Sequence, residues 1–157
     1  MLRRLLGLLR RDQGTPEDGI PSQHQARQAV LASGGEATHS VVLRLDPNAM
    51  ENADLEVRWH LEKTLRALYP DIAFYDDGYG FARRSEAMFL DYATRQPDQL
   101  VAALVDLITT NKVPGYEMAA AAVIAVAVRE PAPGQGQEFV KHRAVYPPHK
   151  AGEPVPD

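Results

Sequence analysis

Four carboxylates, Asp76, Asp77, Glu86 and Asp91, are the residues of this chain closest to a catalytic or metal-binding grouping. Two adjacent acids could bind a hard cation, which makes Asp76 and Asp77 the candidate metal ligands. A calcium loop, however, spaces its ligands at alternate positions and closes with a glutamate. Adjacent acids ahead of a glycine, as in Asp76-Asp77-Gly78, more commonly form a turn. The turn is the favoured reading, and no metal or other cofactor is expected. The histidines, His24, His39, His60, His142 and His149, include no pair at the i, i+4 spacing of a helical zinc site. With no cysteine, disulfides, thiolate metal sites and a cysteine nucleophile are excluded. Gly78-Tyr-Gly80-Phe-Ala-Arg83 begins like a dinucleotide loop but lacks the third glycine and a following helix. There is no phosphate loop and no Gly-x-Ser-x-Gly elbow. No catalytic residue is assigned, and the sequence weighs against an enzyme.

Binding chemistry is better represented. Trp59 falls in a helical stretch whose buried stripe is Val57, Leu61, Leu65 and Leu68, and a helical wheel puts it on the other side. Leu55, Glu62 and Arg66 lie around it, and together the four form a candidate interaction surface. Tryptophan carries a large apolar area and is enriched in binding hot spots. The alternative is that an arm of the chain, residues 20–32 or 138–146, covers it. Arg83 and Arg84 beside Tyr79 and Phe81 could stack nucleotides, but no aromatic-rich strand signature accompanies them. The chain is acidic, with a formal net charge of −4. No nucleic-acid partner is expected.

The charge is unevenly spread. Residues 1–11 carry four arginines and no acid, leaving thirteen basic against twenty-one acidic residues, a net of −8, in the remainder. As a helix this leader gathers Leu2, Leu5, Leu6 and Leu9 on one face and turns Arg3, Arg4, Arg10 and Arg11 elsewhere. It falls short of the roughly 20 apolar residues that span a bilayer and does not fit a secretory signal. It reads as a frayed terminal helix or as a peripheral segment on a membrane surface or a partner. The expected location is cytoplasmic, with a membrane-peripheral alternative.

The elements that hold these residues follow from periodicity. Residues 12–39 are rich in Gly, Pro, Ser and Gln and read as a linker, with room for a brief helix at Gln23–Leu31. Alternation at Val41, Leu43 and Leu45 predicts a strand over Ser40–Asp46. A helix from Ala53 to Tyr69 follows, with Asn52 or Asp54 as N-cap and Pro70 as its stop. Residues 72–82 form one long strand with a bulge at Gly78–Gly80, reversing at Arg83–Ser85 into a partner strand over Glu86–Ala93. Pro97 opens a second helix reaching Asn111, with Leu100, Ala103, Leu104, Leu107 and Ile108 inward. The apolar run Tyr116–Val128 is assigned as a strand, and Glu138–Tyr146 as a further strand on an edge, joined through 131–137. The tail 147–157 is expected to be disordered.

The resulting order, β-α-β-β-α-β, predicts an α+β core over residues 40–130, an antiparallel sheet with two helices on one face in the ferredoxin-like arrangement. With Met88-Phe-Leu-Asp-Tyr92 followed by Pro97-Asp-Gln-Leu-Val-Ala-Ala-Leu104, residues 41–128 resemble small ferredoxin-like domains of uncharacterised bacterial proteins. Some of those are toxin-immunity or related binding proteins. The resemblance covers just over half the chain, contains no diagnostic motif and brings no catalytic residues. It implies a non-catalytic domain with a protein partner. The alternatives are a membrane-peripheral protein anchored by residues 1–11 and a divalent-metal-dependent enzyme or binder using the acidic group.

Overall fold

The computed structural model describes residues 20–129 and 142–155. Strand β1, His39–Leu45, carries the expected alternation and lies inside the sheet. Around it, in chain order, come helix α1 (Gln23–Ala32) before it, then α2 (Glu56–Leu68), β2 (Phe74–Phe81), β3 (Met88–Thr94), α3 (Pro97–Thr109), β4 (Ala122–Val128) and β5 (Arg143–Tyr146). The strands form one open antiparallel sheet in the order β2-β3-β1-β4-β5. Val42, at the centre, is opposite Asp91 on β3 and Ala125 on β4.

The two faces of the sheet are filled differently. On one, Val41, Leu43 and Leu45 join Met88, Leu90, Tyr92 and Ile124 beneath α2 and α3, which bury Val57, Leu61, Leu65, Leu100, Leu104 and Leu107. Each such side chain contributes about 1.5–3 kcal/mol on leaving water, so this layer is the main source of stability. On the other face, Ala26 and Val30 of α1 pack against Tyr75 and Ala93 in a separate cluster. That helix lies in the stretch read as a linker. The Ser22 side chain accepts from Gln25 N, and the Gln25 side chain answers to Ser22 N. This reciprocal capping box satisfies two otherwise orphaned donors and holds a short helix that composition alone undervalues.

β2 is one long strand with a bulge, but the register shifts between Asp76 and Gly78, ahead of the expected Gly78–Gly80, and Gly78 to Phe81 pair regularly with Asp91 to Met88. Three further expectations need correction. Leu68 is not part of the buried stripe but 50% exposed. It is the last helical residue of α2, and Tyr69 packs on the core in its stead, its hydroxyl donating to Asp106 of α3. The last core strand does not begin at Tyr116. Gly115 turns at φ +82°, and the Met118 carbonyl accepts from both Ala121 N and Ala122 N, so pairing starts only at Ala122. The tail, through Val155, is ordered. Gly152 N donates to Ala144 O at 2.7 Å, Ala144 N donates to Glu153 O at 2.9 Å, and Arg143 bridges to Pro154. These bonds occupy backbone groups of β5 on its outer side, which would otherwise need water.

The strand expected at Glu138–Tyr146 is seen from Arg143 as β5, antiparallel to β4. Its first residues, the connection before it and the leader with Leu2, Arg3, Arg4, Leu5, Leu6 and Leu9 lie outside the described residues.

Candidate functional site

Strand alternation and the bulge in β2 together determine what the acidic group can do. Asp76, on the same side of the strand as Phe74, faces the helices, where its carboxylate receives Arg58 Nε at 2.6 Å and Nη2 at 2.5 Å. Asp77 instead meets Arg129 at 2.7 Å. Asp76 also accepts from Gly78 N at 2.9 Å, which fixes the bulge itself. Glu86 is exposed in the β2–β3 turn, and Asp91 lies in the middle of β3 opposite Val42. The four carboxylates therefore do not converge: Asp76 is paired on the helix side of the sheet, Asp77 and Asp91 stand on the other side, and Glu86 is exposed in a turn. Among the described residues no three His, Asp or Glu side chains gather as a metal site. Two adjacent acids already neutralised by arginines are poor competitors for a cation.

The candidate interaction surface is present with a changed membership. Trp59 is 47% exposed. Leu55, the N-cap residue of α2, packs against the main core. Glu62 is only 4% exposed and accepts Arg66 Nε and Nη2 at 3.0 and 2.8 Å. Arg66 lies 4.1 Å over the Phe74 ring and donates to the Phe74 carbonyl. Glu62 and Arg66 thus clamp α2 to β2 and do not flank Trp59 in solvent.

The second half of the surface comes from β2. The Arg58 guanidinium lies 5.0 Å from the Trp59 ring and 4.5 Å from the Tyr79 ring. Tyr79 in turn meets Phe81 edge-to-face at 6.4 Å. Both are exposed, at 43% and 55%. Asp76 thereby holds one cation between two aromatic rings. The result is a row of three exposed aromatics along the outermost strand and the helix beside it, fixed by an ion pair and two cation–π contacts. Arg83 and Arg84 are exposed in the following turn. Sequence reasoning missed Arg58. The signal available was the alternation Tyr79-Gly80-Phe81, which puts both rings on one side of a strand.

On the other sheet face a three-membered polar chain went unseen. Ser40 Oγ donates to Asp91 Oδ1 at 2.6 Å and lies 2.9 Å from His142 Nε2. Ser40 and Asp91 are adjacent-strand neighbours, whereas His142 arrives from 102 positions away along the chain. No local spacing could announce it. Burial pushes the Asp91 carboxyl above the ordinary carboxylate range, opposed by the Ser40 hydrogen bond. Burial also pushes His142 below the ordinary imidazole range, opposed by the nearby Asp91. The composition suggests a serine triad, but the order is wrong for one. A triad sets the histidine between serine and carboxylate, whereas here Ser40 stands between Asp91 and His142, so Asp91 does not orient the imidazole. The arrangement holds a carboxylate in a fixed orientation instead.

Among the described residues no helix is long and apolar enough to cross a membrane. No protein-family model, curated protein or solved structure matches this chain.

Proposed function

We propose that this chain is a non-catalytic protein-binding domain, of immunity type or another interaction class, that engages its partner through the Trp59–Arg58–Tyr79–Phe81 row. The observation carrying this reading is the exposure of three aromatic side chains around one fixed guanidinium. Exposed aromatics held rigidly lose little further freedom on binding, and aromatic and arginine side chains dominate interface energetics. The strand order, with β1 between β3 and β4 and both long helices over one face, supports a ferredoxin-like arrangement for the domain. In that arrangement the row runs along the open β2 edge. The bulge, the paired Asp76 and Asp77 and the Gln23 side chain bonded to the Asp76 carbonyl at 3.0 Å guard that edge against unspecific strand pairing.

The test is capture of a stoichiometric partner by the full chain, compared between wild type and Trp59→Ala, followed by titration of that partner. Loss of a hot-spot tryptophan should weaken the complex by roughly 30-fold or more. The melting temperature should barely move, because substitutions at exposed positions usually change stability by no more than about 0.5 kcal/mol. A folded Trp59→Ala protein that binds its partner with undiminished affinity would reject this face.

A further inference from the structure

On the sheet face opposite α2 and α3 lies a cavity of about 480 Å³, a size that suits a small organic molecule. β1 and β3 contribute Val42, Phe89 and Asp91, the β2 segment 77–81 forms a wall, and His142 and Val155 close one side. The wall is hollowed by two glycines. Gly78 is paired with Asp91 and Gly80 with Phe89, and a Cβ on either would meet nothing within 4 Å. A flat group can therefore approach the β2 backbone where side chains would otherwise stand.

The polar groups in this cavity have a definite sign. Asp77 is already neutralised by Arg129. Asp91 uses Oδ1 to accept from Ser40, and its second oxygen has no hydrogen-bond partner among the described residues. His142, held below its usual range, turns Nε2 to Ser40 and adds no positive charge near neutrality. Arg44, on the same face of β1, reaches away to Ser85 at 3.5 Å. What remains is an oriented carboxylate oxygen at one end of an otherwise largely apolar hollow.

We propose that this cavity is a binding site for a small organic cation, an amine on a flat apolar body, with its ammonium group on the open oxygen of Asp91. An ammonium there supplies the hydrogen bond and the countercharge that a half-buried carboxylate lacks. Because Ser40 fixes the carboxylate beforehand, little order remains to be imposed on binding. The apolar body replaces water over Val42 and Phe89. An anion would meet Asp91 with like charge, and a neutral molecule would bury the carboxylate without compensation. The site opens on the face away from Trp59; it shares Tyr79 and Phe81 of the β2 wall with the aromatic row, but its recognition rests on Asp91 and the two glycines and does not depend on the protein-binding reading.

The experiment is a titration of the full chain with phenethylamine, 2-phenylethanol and phenylacetate, read by amide chemical shifts in heteronuclear NMR. Saturable shifts at Gly78, Gly80 and Asp91 are expected with the amine, with affinity about tenfold or more above that of the alcohol. The anion should give none. Asp91→Asn keeps an acceptor for Ser40 and should remove the amine's advantage, while the alcohol, no longer burying a bare carboxylate, should bind at least as well as before. Gly80→Val, at a position with no left-handed backbone requirement, should fill the hollow and abolish both. Trp59→Ala should change nothing. Equal affinity for the three probes, amine binding that survives in folded Asp91→Asn, or shifts confined to other surfaces would each overturn the assignment.

Discussion

At the scale of single residues, Glu62 shows how a charge that looks like surface becomes part of the frame. Its carboxylate is buried under α2, and both contacts to Arg66 reach the same oxygen. Burial raises its pKa above the ordinary 4.5, and Arg66 opposes that rise without cancelling it. A folded-state pKa above the unfolded one means that the folded protein holds the proton more tightly. The resulting contribution to stability is present below about pH 4.5 and is lost as the pH rises through the folded value. Glu62→Gln cannot titrate. Its stability relative to wild type should therefore improve from about pH 4 to neutrality, in urea denaturation at the two values. A constant difference would mean that Glu62 titrates normally. Glu62→Ala, which removes the carboxylate from Arg66 and leaves it only the Phe74 carbonyl and ring, should cost about 1–3 kcal/mol at neutral pH.

At the scale of elements, α1 differs from α2 and α3 in how it is attached. It contributes only Ala26 and Val30 to burial, and they belong to a small cluster separate from the main core. A ten-residue helix is marginal by itself in water, so its persistence rests on that cluster and on the Ser22–Gln25 cap. Val30→Asp should release α1 without unfolding the sheet. Hydrogen exchange is the measurement: amides of Gln23–Ala32 should lose protection, while those of β1, β3 and β4 keep it. Simultaneous loss in the strands would show that α1 is integral to the core. The capping box was legible as Ser22-x-x-Gln25, and the helix expected at Gln23–Leu31 matches α1 closely. Its docking against Tyr75 and Ala93 was not legible, because a half-apolar ten-residue stretch carries no record of the surface it will meet.

At the scale of the whole molecule, stability is concentrated between the sheet and its two long helices. Leu61 is fully buried there among side chains from β1, β3, α2 and α3. Leu61→Ala should reduce the free energy of unfolding by about 2–5 kcal/mol, the usual cost of a large cavity in a close-packed interior. Denaturant titration should show a lower midpoint with the slope unchanged. A smaller loss would indicate that α2 settles into the gap. The contrast with Val30→Asp is the useful comparison, since one substitution should weaken everything and the other only one helix.

Periodicity and punctuation in the chain located most of the local elements, though not the start of β4 or the N-cap of α2. Alternation at Val41, Leu43 and Leu45, the Val57, Leu61 and Leu65 stripe of α2, Pro97 at the start of α3 and Gly78 beside the β2 bulge each act within a few residues, where hydrophobic pattern and backbone sterics decide. The same local information put Trp59 on an outer face. Whatever depends on elements distant in the chain was decided only by the tertiary structure. Glu62 and Arg66 left the surface because α2 lies over Phe74, and Tyr79 and Phe81 joined Trp59 because Arg58 bridges helix and strand. The tail gained order because β5 offered it unpaired backbone. Ser40, Asp91 and His142 met because β1, β3 and the approach to β5 converge on one sheet face. Charge pairing and burial act through space, and a sequence pattern records only neighbours along the chain.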